Sequence, residues 1–272
     1  MSRALTKIAK SPLLVTLVWI LGLIIIWELG ATHIEKIKRT PENTLPHIAQ
    51  IVESVFSDKP VSQGQTAVQI VMKNAGATLS RAGIGFVIGA ALGFLLALAM
   101  KLSNIVEKTA FPYLMIIQMI PILGMAPIVL AITHDIGASR IVIAAILTFY
   151  PVSTNTLAGF KAVDREKYDL MHICAANKLQ LYIKTLIPSS VPYFFTGLKI
   201  SAPMAITASI LVDTLQGDGG LGCMLSQSLK LAMSIYVFWQ IVIFSAVIGI
   251  MSSWLMGVIE KALSPHKRRA LV

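Results

Sequence analysis

The chain has 272 residues, of which 56% are hydrophobic and only 13% charged, and its mean hydropathy is +0.76. Soluble domains carry about a quarter charged residues, so a deficit spread along the whole chain points instead to an all-α polytopic membrane protein. The net charge of +10 does not indicate nucleic acid, because the basic residues collect at the ends of apolar segments, where anionic headgroups favour them.

The first apolar run, PLLVTLVWILGLIIIWEL over 12–29, follows Arg3, Lys7 and Lys10. It is longer than a signal-peptide core and no small-residue cleavage site follows, so it reads as a retained transmembrane helix within an N-terminal region 1–40. The outer segment 41–77 contains PENTLPHIAQIVESVF (41–56), whose apolar spacing predicts an amphipathic helix lying on the membrane or on a loop.

Further spans of about 20 apolar residues are predicted near 82–100, 109–132, 141–160, 193–215 and 236–259, making about six crossings. The second carries Gly85, Gly89 and Gly93 at one-turn spacing, a small-residue face that lets a neighbouring helix approach closely, either within the subunit, which is favoured, or at a subunit interface. The third, with Pro112, Pro121 and Pro127, must be kinked or broken, and Pro151 with Asn155 disturbs the fourth similarly. Freed backbone groups at membrane depth need partners from protein or a water-filled cavity, so these breaks mark either a permeation path or a structural kink with Gln118 bonded to a neighbour.

Asp213, near the outer end of the fifth span, is a costly acid at membrane depth and hence a functional candidate, or an interfacial Asp bonded to backbone amides. The turn QGDGGLG (216–222) follows it. Trp239 and Trp254 bracket the last span at a separation suited to interfacial anchoring. Lys and Arg favour an orientation with both termini cytoplasmic, which places 101–108, the loop 161–190 and the basic tail 261–272 inside. Cys174 and Cys223 then lie on opposite sides, cannot pair, and read as packing residues.

No phosphate loop, nucleophile elbow or paired metal-ligand histidines occur, so the sequence offers no catalytic constellation. The loop 161–190 is the unusual part. In DLMHICAANKLQLYIKTLIP (169–188), Leu170, Ile173, Ala176, Leu179, Tyr182, Ile183 and Leu186 recur at helical steps with polar residues between them. Such a segment is either a knob for a groove in a soluble partner or a helix lying on the inner leaflet.

The spacing from Asp169 to Ala175 and on to Ile187-Pro188 resembles the coupling loop of ABC importer permeases, E-A-A-x3-G-x9-I-x-L-P. PSSVPYFFTGLKIS (188–201) resembles the continuation found in the nitrate/sulfonate/taurine-type permeases. NTLPHIAQIVESVF, TLSRAGIGFVIGAALGFLLALAM, IPILGMAPIVLAITHDIGASRIVI, FYPVSTNTLAGFKAVD and DGGLG fall in that family's order, over roughly 40–260. The sequence departs from the pattern in having Asp169 for Glu, Leu170-Met171 for the two alanines, and Ala175 for the glycine.

The resemblance implies the type I importer permease fold, with a core at 78–260 and a cytoplasmic coupling helix. It implies a bacterial inner-membrane subunit that performs no chemistry. ATP and Mg would be bound by two partner ATPase subunits, a second permease would complete the pathway, and an extracytoplasmic binding protein would deliver a small solute, either an anion or a vitamin precursor. Asp169, Leu170, Met171, Ala175, Ala176, Lys178 and Pro188 become the expected ATPase-docking residues. Gln118, Met119, Pro121, Met125, Thr207 and Ser209 become the expected pathway residues near the subunit interface, on the broken third span and the small-residue fifth. The competing class is a self-contained secondary transporter or channel. It is disfavoured by the long coupling-like loop, the missing phosphate loop and the absence of two similar halves.

Overall fold

A computed structural model describes residues 12–57, 59–61, 64–216, 219–230 and 234–263. Arg3, Lys7, Lys10, Gly217, Asp218 and the basic tail with Lys267, Arg268 and Arg269 lie outside the described residues. Among the described residues the regular elements are helices: α1 (Pro12–Ile37), a 3-10 turn (Pro41–Asn43), α2 (Ile48–Val55), α3 (Ala67–Leu102), α4 (Asn104–Met119), α5 (Ile122–Thr133), α6 (Ile136–Lys161), α7 (Arg165–Ile173), α8 (Lys178–Leu181), a π-helix (Tyr182–Leu186), α9 (Ile187–Gln216), α10 (Leu221–Leu229) and α11 (Ile235–Leu263). Five stretches are long and apolar enough to span a bilayer, and the bent pair α4–α5 makes a sixth.

The chain divides into two compact units. The smaller one comprises residues 1–70 and 227–240. Within it the Trp27 indole donates to Pro46 O at 3.0 Å and meets the Trp239 ring edge-on at 4.8 Å. The Glu28 carboxylate accepts from the Ile48 amide at 2.9 Å and bonds the His47 ring. The amphipathic helix expected over 41–56 is confined to the eight residues of α2. Pro46 holds the residue before it out of the helical region, and His47 begins the helix with a capping box to Gln50.

The larger unit comprises residues 71–226 and 241–272. Its centre is the pairing of α6 with α9, on which α3 and α5 also pack. The glycine ladder of α3 faces α6. A Cβ at Gly85 would lie 2.6 Å from Ala144 Cβ, one at Gly89 2.7 Å from Thr148 Cβ, and one at Gly93 3.0 Å from Val152 Cβ. The ladder therefore serves packing within the subunit.

The third span is broken at Ile120–Pro121, where the chain bends by 112°. Of its three prolines only Pro121 interrupts the helix, whereas Pro112 and Pro127 lie inside α4 and α5. The expected break at Pro151 does not occur: α6 is continuous from Ile136 to Lys161. Gly197 of α9 lies close against this turn, where an added Cβ would stand 2.9 Å from Pro151 O and Val152 Cα, and the Asn155 amide donates to Pro151 O at 2.7 Å. Both contacts meet the Pro151 carbonyl, and the helix runs on through the proline with α9 packed against this turn. Cys223 is buried, but Cys174 is exposed, contrary to its reading as a packing residue.

Candidate functional site

The stretch 169–188 forms two helices joined by a tight turn. α7 ends at Ile173, and Ala175 takes a left-handed conformation at φ 48°. The Ala175 amide donates to His172 O at 2.9 Å and the Ala176 amide to Met171 O at 3.0 Å, a Schellman closure. Asn177 then starts α8, accepting from the Gln180 amide at 2.8 Å while the Gln180 side chain accepts from the Asn177 amide at 3.0 Å. The left-handed residue stands where the resembled loop has glycine, the residue that takes this conformation without a Cβ penalty.

This helix-turn-helix sits on a core of Ala97, Met100, Leu114, Leu157, Phe160, Val163 and Leu186, against which Tyr168, Leu181, Tyr182 and Ile187 pack. Two contacts fasten it to the end of α3: the Lys101 ammonium lies 5.7 Å above the Tyr168 ring, and the Tyr182 hydroxyl donates to Lys101 O at 3.4 Å. Its outer surface is open and mixes apolar side chains with charged and polar ones, among them Arg165, Glu166, Lys167 and His172. Leu170 is 59% exposed, Ile173 80% and Leu179 67%, with Asp169, Ala175, Lys178 and Pro188 also exposed and Met171 and Ala176 half-buried. Between α8 and the ordinary helix of α9 the chain winds as a π-helix over Tyr182–Leu186. The sequence reading missed this element, since no residue pattern marks a π-turn.

The expected pathway residues do not share one surface. Gln118, Met119 and Pro121 are exposed at the α4–α5 break, with Met125 half-buried just beyond it. Thr207 is exposed on α9, its hydroxyl bonded to Pro203 O at 3.0 Å. Ser209 is fully buried and donates to Thr78 O at 3.2 Å, so it faces α3 within the subunit and not an open surface.

Asp213 is fully buried, and beside one backbone amide, that of Gly222, it is held by charged and hydroxyl side chains. Its Oδ1 lies 2.7 Å from Nε of the equally buried Arg140 at the start of α6, and 3.8 Å from Arg81 of α3. Its Oδ2 accepts from the Thr78 hydroxyl at 2.7 Å. The same cluster holds the turn before α10. Arg140 donates to Gly219 O at 3.3 Å, the Gly220 amide to Asn74 Oδ1 at 3.1 Å, and the Leu221 amide to Thr78 Oγ1 at 3.0 Å. Gly220 has φ 90°, and a Cβ there would lie 2.6 Å from the Asp213 carboxyl carbon, so conformation and space both require glycine. Sequence reasoning gave Arg140 no role. The available signal was that it opens one apolar span while Asp213 closes another, which allows the two to meet on one side of the membrane.

Residues 89–265 match the family described as binding-protein-dependent transport system inner membrane component. The chain is 29% identical over 252 residues to the formylaminopyrimidine transport permease protein ThiX of Halalkalibacterium halodurans, covering 92% of this chain and 94% of that protein. It is 29% identical over 172 residues to the nitrate import permease protein NrtB of Synechococcus elongatus, covering 63% and 60% of the two chains. With the putative aliphatic sulfonates transport permease protein SsuC of Bacillus subtilis it shares 25% over 186 residues, covering 68% and 67%. Among solved structures, the fold resembles a chain of an amino acid ABC transporter and a chain of the inward-facing MetNI methionine ABC transporter. Each superposes with a TM-score of 0.61 at 18% identity over 72% of this chain, covering 94% and 97% of those chains respectively.

Proposed function

The chain belongs to the family of binding-protein-dependent transport system inner membrane components, and from that premise we propose how its parts divide the work. It is a non-catalytic, multi-pass permease subunit of an ABC importer of small solutes, which implies ATPase and binding-protein partners.

In the reading proposed, one of two ATPase subunits docks on the helix-turn-helix 165–188 and the other on the second permease, with Leu170, Ile173 and Leu179 as the apolar contact here and Asp169 and Lys178 as its polar flanks. The observation that carries this is a rigid, doubly capped turn presenting exposed apolar side chains at the end of the spanning helix α9. An apolar knob built on fixed caps suits a protein groove, since little ordering entropy remains to be lost on docking. A second permease completes the path along the exposed faces of α4, α5 and α9 that carry Gln118, Met119 and Thr207. The chain lies in a bacterial inner membrane with both termini cytoplasmic, as its Lys and Arg distribution supports.

The substrate proposed is a formylaminopyrimidine-type heterocycle, because the relative named for that solute matches across almost the whole of both chains. Relatives named for nitrate and sulfonates make a small anion the second candidate. Two measurements test the reading. Pull-down through the permease should recover an ATPase from wild type and lose it for Ala175→Arg, which puts a long charged side chain at the centre of the knob. Cells with and without this chain should differ in formylaminopyrimidine uptake. Equal uptake rejects the substrate, and full ATPase recovery by Ala175→Arg rejects the docking surface.

A further inference from the structure

We infer that the buried Asp213–Arg140 pair is a positioning device that locks the far end of α9 to the Gly219–Gly222 turn, so that movement of the coupling loop on one face of the membrane is delivered to that turn on the other. The inference rests on the proposed docking of ATPase subunits at 165–188.

Three observations carry it. First, the chain is helical without interruption from Lys178 to Leu215. Pro188 and Asp213 therefore sit near opposite ends of one rod, about 38 Å apart at 1.5 Å per residue. Second, the two ends are built differently. The near end contains the π-turn Tyr182–Leu186, a wider winding than the α-helix that follows it. The far end is tied to its neighbours: Asp213 bonds Thr78 of α3 and Arg140 of α6, and Ser209 one turn earlier bonds Thr78 O. Third, the partners that grip Asp213 also grip the turn. Thr78 Oγ1 donates to the carboxylate and accepts from the Leu221 amide, and Arg140 bridges the carboxylate and Gly219 O. The turn cannot shift without disturbing Asp213, and Asp213 cannot shift without the turn.

A buried charge pair is an expensive way to fasten two helices, since apolar packing of equal volume commonly stabilises as well or better. A directional, all-or-none contact is what a transmitted displacement needs, because it either holds or breaks. The cluster is thus a fixed joint at the far end of α9.

The test uses the permease with the ATPase that co-purifies with it, in lipid nanodiscs, with ATP plus vanadate as the probe. Hydrogen exchange is followed in peptides covering 175–188 and 219–222. In wild type both peptides should change exchange on adding the probe. In Asp213→Asn and, separately, Thr78→Val, the response at 175–188 should persist while the response at 219–222 falls about fivefold or more. A turn that ignores the probe in wild type, or that responds equally in wild type and variants, overturns the inference. Should neither variant assemble, the wild-type turn decides alone: a response there supports the inference, and silence overturns it. A coupling loop silent in wild type, or a permease that recovers no ATPase, overturns the docking reading first and the inference with it.

Discussion

The Ala176 amide donates to Met171 O at 3.0 Å, folding the chain back around Ala175 at φ 48°. A side chain in the left-handed region costs about 1–2 kcal/mol relative to glycine, while glycine costs about 0.5–1 kcal/mol more entropy on folding. Ala175→Gly should therefore stabilise the turn by a net ~0.5–1 kcal/mol. Slower hydrogen exchange at the Ala176 amide would show this. Ala175→Val should do the reverse, because β-branching makes the left-handed region still less accessible. If the glycine variant exchanges faster, the turn does not need this conformation.

Gly89 and Gly83 lie on the same helix in opposite environments. A Cβ at Gly89 would press on Thr148 and Ala145 of α6, whereas one at Gly83 would meet nothing within 4 Å. Gly89→Ala should cost about 1–3 kcal/mol by forcing the helices apart. Gly83→Ala should be neutral or gain up to about 1 kcal/mol of helix propensity. Thermal unfolding in detergent separates them, and similar melting temperatures would mean that α3 does not approach α6 through the ladder.

His47 lies outside the spans, and its ring bonds the Glu28 carboxylate of α1, with Glu35 3.6 Å from its other nitrogen. The Glu28 bond raises the His47 pKa above its ordinary value of 6.5, with Glu35 adding to the effect and burial opposing it. A raised folded-state pKa means that the protonated ring is favoured by folding. Its stabilisation is present in full below about pH 6.5 and is lost as the pH rises through the raised value. Wild type should lose stability relative to His47→Gln across that interval, read as melting temperature against pH. Parallel curves would show that the pair contributes nothing pH-dependent.

Periodicity and hydropathy made the spans legible because a bilayer imposes length and composition on each one separately, as the close agreement of 141–160 with α6 illustrates. The glycine ladder was legible for a similar reason, since residues 85, 89 and 93 must share a helix face. What depends on a partner distant in sequence was not. Asp213 reads as an isolated acid until Arg140, 73 residues earlier, and Thr78, |i−j| of 135, are brought to it by the packing of α3, α6 and α9. Pro151 reads as a break until Gly197 is placed against it. Ser209, one of a run of small residues, faces inward because helical phase turns it away from Thr207, a distinction that a run of small residues does not reveal.

That difference in phase gives the last prediction. Gln118 and Thr207 are exposed, and a larger side chain at either projects from the subunit without displacing its core. Ser209 has no free surface, and its hydroxyl serves the Thr78 carbonyl beside the Asp213 cluster. Gln118→Trp and Thr207→Trp should therefore leave expression, membrane insertion and ATPase recovery unchanged. If these positions line the path between two permeases, the indole obstructs it and uptake should fall about tenfold or more. Ser209→Trp should fail earlier, because forcing an indole between α9 and α3 costs several times the ~1–3 kcal/mol typical of a few added methylenes and orphans a buried carbonyl. It should reach the membrane in reduced amount and recover little ATPase. Size-exclusion profiles of the tagged permease, read beside uptake per assembled complex, separate the two kinds of failure. Normal uptake in both Gln118→Trp and Thr207→Trp would remove these residues from the pathway. A well-assembled Ser209→Trp would mean that α9 presents this face to an opening and not to α3.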